Sequence, residues 1–91
     1  IKMKRVHILI SGKVQRVFFR AFVRENAEEL EVKGWVKNNA DRVEAVFQGK
    51  DEAVIELIKR CRKGPAAANV TKIDVKEELY REEFTRFEIV Y

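Results

Sequence analysis

One cysteine, one histidine and one proline among 91 residues limit the chemistry before any motif is read. A lone Cys61 cannot form a disulfide within the chain, and one thiol with one imidazole cannot assemble a usual zinc site, so metal chemistry is not expected. No apolar run approaches the roughly 18 residues that a membrane span requires. The basic start, Ile1 to Ile10, has too short an apolar stretch and no small-residue cleavage site for a signal peptide, which points to the cytoplasm. Glycine is scarce, at four residues. The GxxxxGK[ST] spacing of a Walker phosphate loop is absent, and no Ser or Thr is placed to hold magnesium. Acid is missing as well until Glu25, whereas Lys2, Lys4, Arg5, Lys13, Arg16, Arg20 and Arg24 all precede it. That stretch attracts anions, but charge alone does not choose between nucleic acid, a phosphate-bearing metabolite and an acidic protein.

What is present reads as one domain over residues 1–91, because a chain of this length has room for a single core. Val6, Ile8 and Ile10 alternate with Arg5, His7 and Leu9, the period of a strand. From Phe19 the period changes. Phe19, Val23, Ala27 and Leu30 recur at helical spacing, and Gly34 is expected to stop that helix. Trp35 to Lys37 and Val43 to Phe47 form the arms of a hairpin, with Asn38, Asn39 and Asp41 at its bend. Asp51 is expected to cap a second helix whose stripe is Val54, Leu57, Ile58 and Cys61, stopped by Gly64 and Pro65. Residues 70–76 form a fourth strand with Ile73 and Val75 inward, and Phe87, Ile89 and Tyr91 alternate in a last short strand. The order βαββαβ predicts an α+β fold of the ferredoxin-like, split βαβ kind, with two helices on one face of a mostly antiparallel sheet. In that plan the end of the first strand and the bend after the second lie at one sheet edge, so Arg20 and Asn38 can meet.

The segment SGKVQRVFFR, Ser11 to Arg20, joins the first strand to the first helix. A loop entering a helix leaves several backbone N–H groups unpaired, and the helix dipole adds roughly half a positive charge there. The planar fork of Arg20 can bind two oxygens of one phosphate, which makes a tetrahedral dianion the natural guest. By the same reading His7 is a partly exposed sheet residue and Cys61 a core residue.

Gly12, Val14, Gln15, Val17, Phe19 and Arg20 stand at the spacing of the acylphosphatase signature, which this segment closely resembles. GWVKN, Gly34 to Asn38, resembles the second signature of that family, VEAVFQG from Val43 to Gly49 its continuation, and KGPAAANVTKIDV its link into the fourth strand. The resemblance spans nearly the whole chain. It implies hydrolysis of acyl phosphates to carboxylate and inorganic phosphate, without metal or cofactor. It also implies that the backbone N–H groups of Arg16, Val17, Phe18, Phe19 and Arg20, with the Arg20 guanidinium, hold the phosphoryl oxygens while Asn38 orients the attacking water. Two departures stand out. Arg16 occupies a position where the family usually carries Gly, so a positive φ there would add strain of order 1 kcal/mol. The bend after Asn38 is one residue shorter than usual and lacks its Pro and Gly.

A competing reading is a catalytically impaired member that binds an anion or nucleic acid. RNA-recognition domains share the plan, but they stack bases on aromatics of central strands, and the first strand here has none. Nucleic acid is therefore not the expected partner, and a monomer acting on a small molecule is.

Overall fold

The computed structural model describes all 91 residues. The elements are β1 (Met3–Lys13), α1 (Phe19–Glu29), β2 (Lys33–Asn39), β3 (Arg42–Lys50), α2 (Asp51–Lys63), β4 (Asn69–Glu78) and β5 (Phe87–Ile89). They build one five-stranded sheet in the order β4-β1-β3-β2-β5. Every pairing is antiparallel except β2 with β5. This is the ferredoxin-like α+β plan with a short strand added beside β2.

The alternation in β1 decides which face is covered. Val6, Ile8 and Ile10 register against Phe47, Ala45 and Val43 of β3, and all six are buried. Phe19, Val23 and Ala27 of α1 and Val54, Leu57 and Cys61 of α2 join them in one 17-residue cluster. Each large side chain so removed from water contributes about 1.5–3 kcal/mol. The opposite face carries His7, Trp35, Lys37 and Glu44, as period-two geometry requires of the intervening positions.

Three expectations need correction. Gly34 does not stop the first helix: α1 ends at Glu29, and Glu31, with φ 59°, takes the left-handed turn. Gly34 instead lies inside β2 with φ 138°, where a Cβ would fall 1.9 Å from the Val46 carbonyl oxygen. Two backbones approach there too closely for any side chain. Asp51 does not cap α2, since the cap position is Lys50 in an extended conformation with no side-chain cap. Asp51 and Glu52 sit in the first turn instead, where negative charge complements the helix dipole. Asp51 Oδ1 also lies 3.4 Å from Lys4 Nζ. Val75, expected inward, is 45% exposed. It belongs to an edge strand of which Val70 and Ile73, but not Val75, pack against the core.

Candidate active site

β1 runs past Ser11 through a bulge between Ser11 and Gly12, which pairs Gly12 with Val70 of β4. The chain then crosses to α1 in a loop, residues 14–18, held down by Val14 and Val17, both buried. Arg16 and Phe18, on either side of Val17, are exposed and left-handed, with φ 61° at each. Arg16 thus adopts the conformation that favours Gly, at the position where the resemblance expects Gly. Phe18 takes the N-cap position of α1 and makes no side-chain cap. None of the backbone N–H groups from Arg16 to Ala21 donates to a backbone carbonyl, and the first turn of α1 holds no acidic residue. An unpaired run of amides at the positive end of a helix favours an anion.

A cavity of about 370 Å³ opens over this loop. Arg16, Phe18, Phe19 and Arg20 line it, Asn38 reaches it from β2, and Ile89 of β5 and Tyr91, two residues beyond, close it. No Asp or Glu is among its lining residues. The fold therefore brings Arg20 and Asn38 to one cavity. Asn38 follows Val36 by two residues, so it shares the helix-covered face, and it is exposed because the sheet outruns the core there. Arg20 is half-buried and takes part in none of the chain's ion pairs. Its guanidinium carbon stands 5.0 Å from the ring centroid of Tyr91, a cation–π contact that leaves the N–H fork free. Among the predicted site residues only Val17 has no side chain on the cavity; it is an anchor of the loop.

Sequence reasoning missed three contributors. Ile89 and Tyr91 were legible only as alternating apolar positions. Gln15, just before Arg16, lines the same cavity and donates from Nε2 to the carbonyls of Ala40, at 2.6 Å, and Arg42, at 2.8 Å.

The other titratable candidates lie elsewhere. His7 stands on the uncovered face with Nε2 2.5 Å from Glu44 Oε2, while Asn39 donates to Glu44 Oε1 at 3.0 Å. Burial opposes ionisation of Glu44, but the hydrogen bonds from His7 and Asn39 and the charges of His7 and Lys37 hold its carboxyl below the usual carboxylate range. Cys61 is fully buried, and burial pushes its thiol up to about 12, which leaves it inert as a nucleophile. No three His, Cys, Asp or Glu side chains cluster as metal ligands.

The acylphosphatase family model matches residues 6–89. The chain belongs to the acylphosphatase family. It is 52% identical over 90 residues to the acylphosphatase of Syntrophus aciditrophicus, covering 98% of this chain and 94% of that one. Identity to the acylphosphatase of Syntrophobacter fumaroxidans is 47% over 89 residues, covering 97% and 92%. The crystal structure of acylphosphatase from Bacillus subtilis superposes with a TM-score of 0.93 at 36% identity, over 99% of this chain and all of that one. The activity is accordingly hydrolysis of acyl phosphates, with a small-molecule acyl phosphate as substrate and inorganic phosphate as product. No observation supports a binding module in place of this acylphosphatase. No helix is long and apolar enough to cross a membrane.

Proposed function

We propose that the N–H groups of Arg16, Val17, Phe18, Phe19 and Arg20, together with the Arg20 guanidinium, hold the phosphoryl oxygens of the acyl phosphate, and that Asn38 orients the attacking water. The observation that carries this reading is the convergence of Arg20, Asn38 and an unpaired run of amides on one cavity free of carboxylates. Phosphoryl transfer through a loose transition state needs positioning and charge stabilisation more than covalent help. The water oxygen bonds to phosphorus as the bond from phosphorus to the acyl oxygen breaks. The leaving group departs as a carboxylate and needs no proton, so no general acid is required. A phosphoryl oxygen of the substrate takes the proton of the water. The chain acts as a single domain, residues 1–91, as a monomer in the cytoplasm, without metal.

Benzoyl phosphate hydrolysis in the presence of a chelator tests the assignment, with inorganic phosphate as competitive inhibitor. Arg20→Gln is expected to remove both phosphate binding and activity. Asn38→Ala is expected to lower kcat by ~10²-fold or more with the phosphate inhibition constant nearly unchanged. An Asn38→Ala enzyme that loses phosphate affinity as fully as Arg20→Gln would overturn the division of roles. Sedimentation equilibrium at the monomer mass of 10.7 kDa checks the oligomeric state.

A further inference from the structure

The two hydrogen bonds of Gln15 are the only ones that join the loop of residues 14–18 to the β2–β3 hairpin. One amide nitrogen carries two hydrogens, and both are committed, at 2.6 Å to Ala40 and 2.8 Å to Arg42. Asn39 pairs with Arg42 across a two-residue turn, so one acceptor, Ala40, lies in the turn and the other, Arg42, directly follows it. Ala40 in that turn is left-handed, with φ 56°. Asn38, Asn39, Ala40 and Asp41 are all exposed, so no apolar packing fixes the turn. On the uncovered face Asn39 is tied to Glu44. On the cavity face Gln15 is the tie.

We propose that Gln15 is a positioning residue for acyl phosphate hydrolysis: its side-chain amide sets the separation between the phosphate-holding loop and Asn38. The proposal rests on the roles given above to Arg20 and Asn38. Gln15 has no spare donor for the substrate, so it acts through the hairpin rather than on the phosphate. Its effect belongs on turnover, because a displacement of about 1 Å in a reacting constellation can cost ~10²-fold in rate. Phosphate held by loop amides and Arg20 does not depend on where the hairpin stands.

Gln15→Leu keeps the approximate size and removes both donors. With benzoyl phosphate its kcat is expected to fall by ~10- to 100-fold, while phosphate inhibition changes by less than about 3-fold. Its thermal midpoint is expected to stay above the assay temperature. Gln15→Glu sets a carboxylate against two carbonyl oxygens, which disfavours the charged form. Its kcat relative to the parent enzyme should therefore climb as the pH falls and the protonated acid regains one O–H donor. A role in stability alone would not produce that recovery, and the comparison decides the matter even if the leucine variant fails to fold. Adding Gln15→Leu to Asn38→Ala should cost nothing further, because the brace acts through Asn38. Unchanged kcat in Gln15→Leu, phosphate affinity falling in step with kcat, or full additivity with an impaired Asn38→Ala would each overturn the proposal. An Asn38→Ala enzyme of undiminished kcat would instead sink the role of Asn38 itself.

Discussion

Arg16 and Phe18 share one left-handed backbone conformation, φ 61° at each, on either side of the buried Val17. The arrangement follows from the loop's anchors: Val14 and Val17 go into the core, and the residues around Val17 must reverse the chain to let it do so. For a residue with a Cβ this region costs roughly 1–2 kcal/mol. Loops at functional sites store strain of this order when the surrounding fold over-determines them.

Replacing Arg16 by Gly removes that strain but adds flexibility to the unfolded chain, worth about 0.5–1 kcal/mol the other way. The expected net is a thermal midpoint higher by about 2–4 °C, read by calorimetry. The same substitution deletes a cation from the cavity wall, so phosphate inhibition should weaken a few-fold and depend less steeply on salt. A lower midpoint would show that the loop is not strained at Arg16.

Gly34→Ala puts a methyl group 1.9 Å from the Val46 carbonyl oxygen at a φ of 138°. Neither backbone can yield without breaking the β2–β3 ladder. A loss of roughly 3 kcal/mol or more is expected from denaturant titration. Tolerance of alanine would mean that the strands are not so closely drawn together.

Glu44 has its folded pKa below the ordinary value of 4.5. The stabilisation it supplies is present above that ordinary value and is lost as the pH falls through the lowered one. Glu44→Gln should therefore be less stable than the parent at neutral pH, with the gap closing on acidification below about 4.5. Parallel stability curves from pH 7 to pH 3 would contradict the lowered carboxyl.

Cys61 is wholly buried, with its thiol pushed up to about 12. Iodoacetamide at about pH 8 should leave the folded protein unlabelled over hours and modify it stoichiometrically once unfolded. Rapid labelling under native conditions would require α2 to detach locally.

Local periodicity carried most of the fold into view. The alternation of Val6, Ile8 and Ile10 and the helical stripe of Phe19, Val23 and Ala27 are the core as built. The misreadings have one physical source. Gly34 is demanded by the close approach of the strand it pairs with, not by the end of a helix, and that approach is set by the folded hairpin rather than by local pattern. Val75 keeps its alternation but lies at an edge whose cover no local pattern records. Arg20 and Asn38 were legible because their motifs are local, whereas the contacts of Gln15 with Ala40 and Arg42 and of Arg20 with Tyr91 exist only after folding.

The parallel pairing of β5 with β2, which sets Ile89 beside Val36, has a consequence for synthesis. Two walls of the cavity, Ile89 and Tyr91, come from β5 and the residues just after it, far along the chain from the loop they close over. A nascent chain can gather its hydrophobic interior early, but it cannot complete the pocket until β5 has left the ribosomal tunnel and docked. Such a long-range pairing carries the loop-closure entropy that slows folding. Recovery of hydrolysis after dilution from denaturant should therefore track the last event of assembly, arriving no sooner than the slowest spectroscopic phase.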